Sequence, residues 1–386
     1  LISRRAALTG AALAVPFAAP AKASVAVADR CIAAIRAALA AMPPGPVLLN
    51  SYVVEPGASD FDLTQANAAY VYDNALAGLA LIAAGHRADA ARIGDALATA
   101  QSHDRFYQDG RLRNAYQAGP MTTPAKLPGW WDKQAERWQE DPYQAGAQTG
   151  PVAWATLLWS ALGQTAPANA AADWLDKELR APAGYYGGFY GFEPHPLKLT
   201  WQSTEQNTDL VAAFRHLGRA DDAAHAKAFV SNMFDPVPNR FDTGAAPDGR
   251  VNTLLAADAG IWPYLAGLGT AASALTAIKL LSHGPGIGFS SASAGIWLEG
   301  TAFAALALTQ MQNPLFNTFL ATIAANLSPS GYVEATVAPT LTTGLTVGPS
   351  LIPGQPPENF SYFRRPSLSA TAWTALAALG ANPLAS

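Results

Sequence analysis

An all-α chain closed into an (α/α)6 toroid, or barrel, of six helical hairpins is the fold class that this sequence predicts. Three observations point to it. Helical runs are separated alternately by short breaks at Gly or Asn-Pro and by long polar, aromatic loops. Helices that follow a long loop are rich in Ala, Leu and Trp nearly all round, as buried helices are, whereas several that follow a short break carry charge on one side. Few stretches sustain the period-two alternation of strands. A ring of inner helices within a ring of outer helices satisfies all three, and an irregular solenoid of hairpins is the alternative.

The elements follow in order. Residues 25–42 are Ala-rich, with Ile32, Ile35 and Leu39 at helical spacing, and Pro43-Pro44-Gly45-Pro46 stops them. A second helix covers 70–82 and closes at Gly85. A third covers 88–101, with Asp89, Arg92 and Asp95 on one side. Loop 102–147 leads to a helix over 151–162. After Gly163 comes another over 167–180, whose Pro167 suits a first helical position. Loop 181–202 leads to the densest polar stretch, Trp201 to Asp209, where Ser203 and Gln206 have capping-box spacing. Helices are then expected over 221–233, 258–268, 271–283, 297–312, 315–327 and 369–379, separated by loops 234–251, 284–295 and 328–366. That makes twelve helices in six pairs.

Residues 1–23 read as a twin-arginine export signal. Ser3-Arg4-Arg5 precedes a small apolar run too short to span a bilayer, and Ala21-Lys22-Ala23 is an Ala-x-Ala cleavage site. Residues 24–386 then form a single catalytic barrel domain, expected in the periplasm or outside a bacterial cell. Only 13% of residues are charged, the net charge is −4, and no block of Lys or Arg occurs. That excludes nucleic acid and anionic membrane as partners. The single cysteine, Cys31, excludes a disulfide framework within the chain, and the six histidines show no ligand spacing. No cofactor and no metal are expected, and the chain is read as a monomer.

Polar residues concentrate at the starts of the even-numbered helices: Asp73-Asn74, then Glu205, Asn207 and Asp209, then Asp258, then Glu299. A single acid there is a cap or a partner of the helix dipole. Four on one face of a ring would floor a cleft. Loops on that face carry Tyr116, Trp130, Trp131, Tyr186 and Trp201, rings that suit stacking on sugars. Two carboxyls suffice to cleave a glycosidic bond, one donating a proton and the other activating water or attacking carbon. Glu205 and Glu299 are the leading acids and Asp73 and Asp258 the leading bases; which two act stays open. Asn74, Asn207, Asn114, Tyr116 and Gln101 are candidates for holding hydroxyls, beside the rings of Trp130, Trp131, Trp201 and Tyr186. Asp209, a turn deeper than Glu205, is read as a structural partner.

Tyr72-Asp73-Asn74-Ala75-Leu76, Ser203-Thr204-Glu205-Gln206-Asn207, Trp297-Leu298-Glu299-Gly300-Thr301-Ala302 and Ala370-Thr371-Ala372-Trp373 with Asn382-Pro383 resemble exported bacterial proteins of the six-hairpin glycosidase-like superfamily. The likeness spans most of the mature chain in motif order. It implies an (α/α)6 barrel and mostly inverting hydrolysis by a Glu/Asp pair, in a superfamily that also holds lyases and phosphorylases. Gln206 stands where that group has His, and Leu298 where it has Phe. The leading expectation is a glycoside hydrolase acting on a polysaccharide or oligosaccharide in an open, aromatic-lined cleft. A polysaccharide lyase using His103, His195, Tyr116 or Arg365 is the second, and a non-catalytic glycan-binding or exopolysaccharide-assembly protein the third.

Overall fold

The computed structural model describes residues 22–385. The export signal read at 1–23 falls almost wholly outside them. Fourteen helices occur among the described residues: α1 (Lys22–Ala40), α2 (Asp60–Gln65), α3 (Val71–Ala83), α4 (Arg87–Ser102), α5 (Pro142–Ala145), α6 (Thr149–Leu162), α7 (Thr165–Leu179), α8 (Thr204–His216), α9 (Ala220–Asn232), α10 (Ala257–Leu265), α11 (Ala271–Leu280), α12 (Leu298–Gln310), α13 (Leu315–Ala324) and α14 (Leu368–Leu379).

All twelve expected helices are present. The short α2 and α5 are additions inside long loops. Each is held by local capping, Ser59 accepting from the Asp62 amide and Asp141 from those of Tyr143 and Gln144. Neither is long enough to show a hydrophobic period.

Inner helices pack in the order α3, α6, α8, α10, α12, α14, and α14 packs back on α3. The ring therefore closes, and the open solenoid is set aside. Each of α4, α7, α9, α11 and α13 lies outside the inner helix that precedes it, while α1 covers α14. Short turns such as 84–86 and 217–219 put the inner C-termini on one face. Gly163, at φ +72°, supplies the left-handed cap that ends α6. Gly78 admits close approach of α3 and α6: a Cβ there would lie 2.7 Å from Leu158 Cδ1.

Long loops reach the opposite face, where small antiparallel sheets lace them together. Gln202–Ser203 pairs with Gly244–Ala245, Ala147–Gln148 with Gly188–Tyr190, and Thr340–Thr346 with Asn359–Phe363. Every inner helix starts from an extended residue on this face: Tyr70, Gln148, Ser203, Ala256, Trp297 and Ser367. All six helices thus enter the barrel alike, and residues at equal positions along them form layers. The sixth residues of α6, α10, α12 and α14 are Trp154, Trp262, Phe303 and Trp373. Their rings meet at centroid distances of 5.4–5.7 Å, mostly edge-to-face, and plug the barrel axis. No described helix is long and apolar enough to cross a membrane.

Candidate active site

Four residues above this aromatic plug lies the layer of second positions. In ring order it reads Tyr72, Gly150, Glu205, Asp258, Glu299 and Ser369. Three consecutive sectors carry acids and three do not. Asp73, next to Tyr72, adds a fourth carboxyl. Each acid lies in the first turn of its helix, where the dipole favours negative charge.

Hydrogen bonds cross the ring from the neutral half to Glu299. The Tyr72 hydroxyl donates to its Oε1 at 2.6 Å and the Ser369 hydroxyl to its Oε2 at 2.7 Å. The Trp373 indole N–H donates to the Tyr72 oxygen at 2.7 Å, tying this chain to the plug below. Asp258 accepts from the Ala259 amide at 2.6 Å. Glu205 is the partly exposed acid of the layer, and no hydrogen bond within the described residues reaches its carboxyl.

Electrostatics follow from burial without a counter-cation. Burial pushes Glu299 up to about 7, against the pull of the Tyr72 and Ser369 donors. It pushes Asp258 up to about 6, with backbone amides opposing. Glu205 is raised well above the carboxylate range by burial and then by Asp258, Asp209 and Glu299. Asp73 is raised by burial and by Glu299, with the Ser51 hydroxyl opposing. No Arg, Lys or His acts appreciably on any of the four. At neutral pH such a cluster holds protons on some members and charge on others. Among the described residues, no three His, Cys, Asp or Glu side chains are placed to hold a metal ion.

The structure thus brings Glu205, Glu299, Asp73 and Asp258 together. It does not bring the proposed hydroxyl-holding groups with them. Asn74 Oδ1 accepts from the Leu49 amide at 2.8 Å, and its Nδ2 donates to the carbonyls of Leu49 and Tyr70. Asn207 treats Tyr185 and Ser203 in the same way. Both stand fourth in their helices, and Thr301 and Thr371, also fourth, accept the amides of Ile287 and Val333. This is a repeated device that fixes a loop to a helix start, and it uses up both amides. Asn114 pins Gln148 and Tyr143 likewise. The hydroxyl of Tyr116 is buried and accepts from the Arg113 amide. Gln101 donates to the carbonyls of Gly110 and Pro167 from the outer helix α4.

The expected aromatic lining also needs correction. Trp130, Trp131 and Trp138 form a hairpin, and Trp131 is 59% exposed. With Phe192, Arg137, Gln139 and Glu140, Trp138 borders a shallow depression of about 410 Å³ to which the carboxyl ring does not contribute. Trp201 packs over Gly187, and Tyr186 lies beside the Lys198 ammonium. The rings electrostatically coupled to the carboxyls are instead Tyr52, Tyr143 and Tyr362, all largely withdrawn from solvent. Lone tyrosines in long loops give no periodic signal; Tyr72 and Ser369 become legible only once the helices are aligned by their starts.

Asp209 also differs from expectation. Far from being a paired structural residue, it is fully buried with neither carboxyl oxygen hydrogen-bonded. Burial and then Asp258 raise it well above the carboxylate range. The Trp154 indole opposes this from outside hydrogen-bond geometry.

No family model matches the chain, and no curated protein does. Solved structures do match. The chain is similar to an α-amylase from Clostridium perfringens at TM-score 0.60 and 10% identity, over 92% of this chain and 97% of that one. It is similar to a variant glycosidase in complex with glucose at TM-score 0.58 and 14% identity, covering 92% and 98%. It is also similar to the cellobiose 2-epimerase of Spirochaeta thermophila at TM-score 0.56 and 12% identity, covering 92% and 95%. The chain shares with these structures the toroid fold of six helical hairpins.

Proposed function

We propose that the chain is a glycoside hydrolase acting on an oligosaccharide or polysaccharide, with Glu205 as general acid and Glu299 as general base in an inverting displacement. One observation carries this reading: three consecutive inner helices present acids at equivalent positions, uncompensated by any cation, above an aromatic floor. Glycosidases among the structures of like fold, one holding glucose, support it. The reaction needs one carboxyl protonated and another ionised at the same pH. Glu205 suits the acid, being partly exposed, free of donors and strongly raised. Glu299 suits the base, because two hydroxyl donors favour its ionised form.

In this mechanism Glu205 gives its proton to the leaving oxygen, which takes the electrons of the broken C–O bond. Water attacks the anomeric carbon from the other face and loses a proton to Glu299. The plug of Trp154, Trp262 and Trp373 lies buried beneath the carboxyls and closes the site from below. Candidates for a lyase base or uronate partner do not support that alternative: His103 and His195 are exposed, Tyr116 accepts from backbone, and Arg365 is paired with Asp62. The Arg4-Arg5 leader supports a setting outside the cytoplasm, which cell fractionation tests.

Incubating the mature chain with a polysaccharide panel tests the reading. New reducing ends are expected without the ultraviolet absorbance of unsaturated products, and the first product anomer should be inverted. Glu205→Gln and Glu299→Gln should each lose about 10²–10⁴-fold in turnover. Full turnover by both variants would sink the assignment, and unsaturated products would sink hydrolysis itself.

A further inference from the structure

Asp209 has no part in the mechanism above, yet it occupies a costly position. It is the sixth residue of α8 and so belongs to the layer otherwise made of Leu76, Trp154, Trp262, Phe303 and Trp373. That sector calls for Leu or Phe. Instead it holds a carboxyl with no exposure and no hydrogen bond to either oxygen. Buried polar groups are almost always paired, and one left unpaired needs a reason.

Its neighbours supply one. Asp209 lies four residues after Glu205 on the same helix, so the two side chains are adjacent on one face. From α10 the titratable group facing it is Asp258, and from α6 it meets the uncharged Trp154 and Gly150. No cation faces it from either helix. The absent side chain of Gly150 leaves room: a Cβ there would lie 3.6 Å from Asp209 Oδ2. A carboxyl among acids and apolar rings stays protonated, and a protonated carboxyl is a hydrogen-bond donor.

We propose that Asp209 is a positioning residue for Glu205, a neutral carboxyl whose O–H lacks a partner in the resting enzyme and donates to the Glu205 carboxylate only as the leaving group departs. This inference rests on the hydrolase reading. When Glu205 passes its proton to the leaving oxygen, its carboxyl gains a negative charge with no cation nearby. The Asp209 O–H rotates towards it; no proton leaves Asp209 and no bond to carbon is involved. An interaction absent in the ground state and made in the transition state lowers the barrier without tightening substrate binding. The cost of the unpaired carboxyl at rest is thus tied to catalysis.

The test compares Asp209→Asn, which keeps a donor, with Asp209→Leu, which does not, in the mature chain acting on a polysaccharide that the wild type cleaves. Asp209→Leu should melt at a higher temperature yet lose tenfold or more in kcat, with KM within twofold. Its alkaline limb of kcat/KM should move to higher pH, because the Glu205 carboxylate has lost a donor. Asp209→Asn should stay within about threefold of wild type, with the limb unmoved. Infrared difference spectra of wild type minus Asp209→Leu should show the carbonyl band of a protonated carboxyl at neutral pH, whether or not a substrate is known. Wild-type kcat in Asp209→Leu overturns the proposal, as does an equal loss in both variants or the absence of that band. If Asp209→Leu does not fold, Asp209→Ala takes its place in every comparison. A chain that cleaves nothing overturns the hydrolase reading and this inference together, whereas a cleaving chain that tolerates Asp209→Leu overturns the inference alone.

Discussion

Two buried groups of charged residues stand on the long-loop face, and they are built on opposite principles. In the first, Arg113 donates to both oxygens of Asp104, at 2.7 and 2.9 Å, and to Glu193 at 3.1 Å. Arg105 ties Glu193 to Glu140. Burial pushes Asp104 up, but the Arg113 hydrogen bonds outweigh it and hold the carboxyl below its ordinary value. In the second, Asp73, Glu205, Asp209, Asp258 and Glu299 share no cation at all. The paired group is fixed in charge and fastens loop 103–148 to itself and to the loop that carries Glu193. The unpaired group is mixed in charge, which is a liability for folding and an asset for moving protons.

Breaking the paired group should give the larger structural effect. Arg113→Met leaves Asp104 charged and buried without a partner, and should cost about 3–5 kcal/mol in urea unfolding. A cost below roughly 1 kcal/mol would mean that the network is not what holds this loop. Glu205→Gln, by contrast, removes a carboxyl without hydrogen bonds from the unpaired group. It should leave the unfolding midpoint unchanged or raised while turnover falls by about 10²–10⁴-fold.

Next in size is a test of the amides that stand beside the acids. Asn207→Ala strands the buried Tyr185 amide and should cost roughly 1–3 kcal/mol in denaturant unfolding. Its kcat/KM on a cleaved substrate, assayed below the melting temperature, should stay within a few fold. A large loss of kcat with unchanged stability would return Asn207 to the substrate.

These amides show what sequence reading reaches and what it does not. Long helices announce themselves by period and by Gly or Pro at their ends, so all twelve and their pairing were readable. The acids were readable too, because charge at the start of an apolar helix is conspicuous. Asn74 and Asn207 were conspicuous for the same reason and were misassigned. A buried amide serving backbone and one serving substrate look alike until its partners are seen. Thr301 and Thr371 do the same work in other sectors and drew no notice, since Thr within an apolar helix is ordinary. Tyr52, Tyr143 and Tyr362 arrive from loops whose path is set by tertiary contacts, so their approach to the carboxyls had no local signature. Aligning the six helix starts is the one step that could have found Tyr72 and Ser369.

The pH dependence of stability should separate the two groups in sign. Asp104, held below its ordinary value of 3.8, contributes stability above that pH and loses it as the pH falls. Asp258 and Glu299 behave oppositely, being raised from 3.8 to about 6 and from 4.5 to about 7. The folded chain holds their protons more tightly than the unfolded chain does. Their contribution is therefore complete below pH 4 and lost as the pH rises through 6 and 7. Unfolding free energy measured by urea at several pH values should decline across that window. Asp258→Asn should flatten the decline by on the order of 1 kcal/mol. An unchanged slope would show that Asp258 titrates no differently in the folded chain.

The smallest effect is expected where sequence reading first placed the sugar. Trp131 is 59% exposed on its hairpin, opposite Trp138. Removing its ring deletes little buried surface, so Trp131→Ala should shift stability by no more than about 0.5 kcal/mol. Turnover of a short soluble oligosaccharide should be unchanged, because the carboxyls are flanked by Tyr52, Tyr143 and Tyr362 rather than by this hairpin. Parallel progress curves for wild type and Trp131→Ala on such a substrate decide the matter. A fall of tenfold or more in kcat/KM would bring the hairpin back to the catalytic carboxyls and make its rings part of the sugar-binding surface.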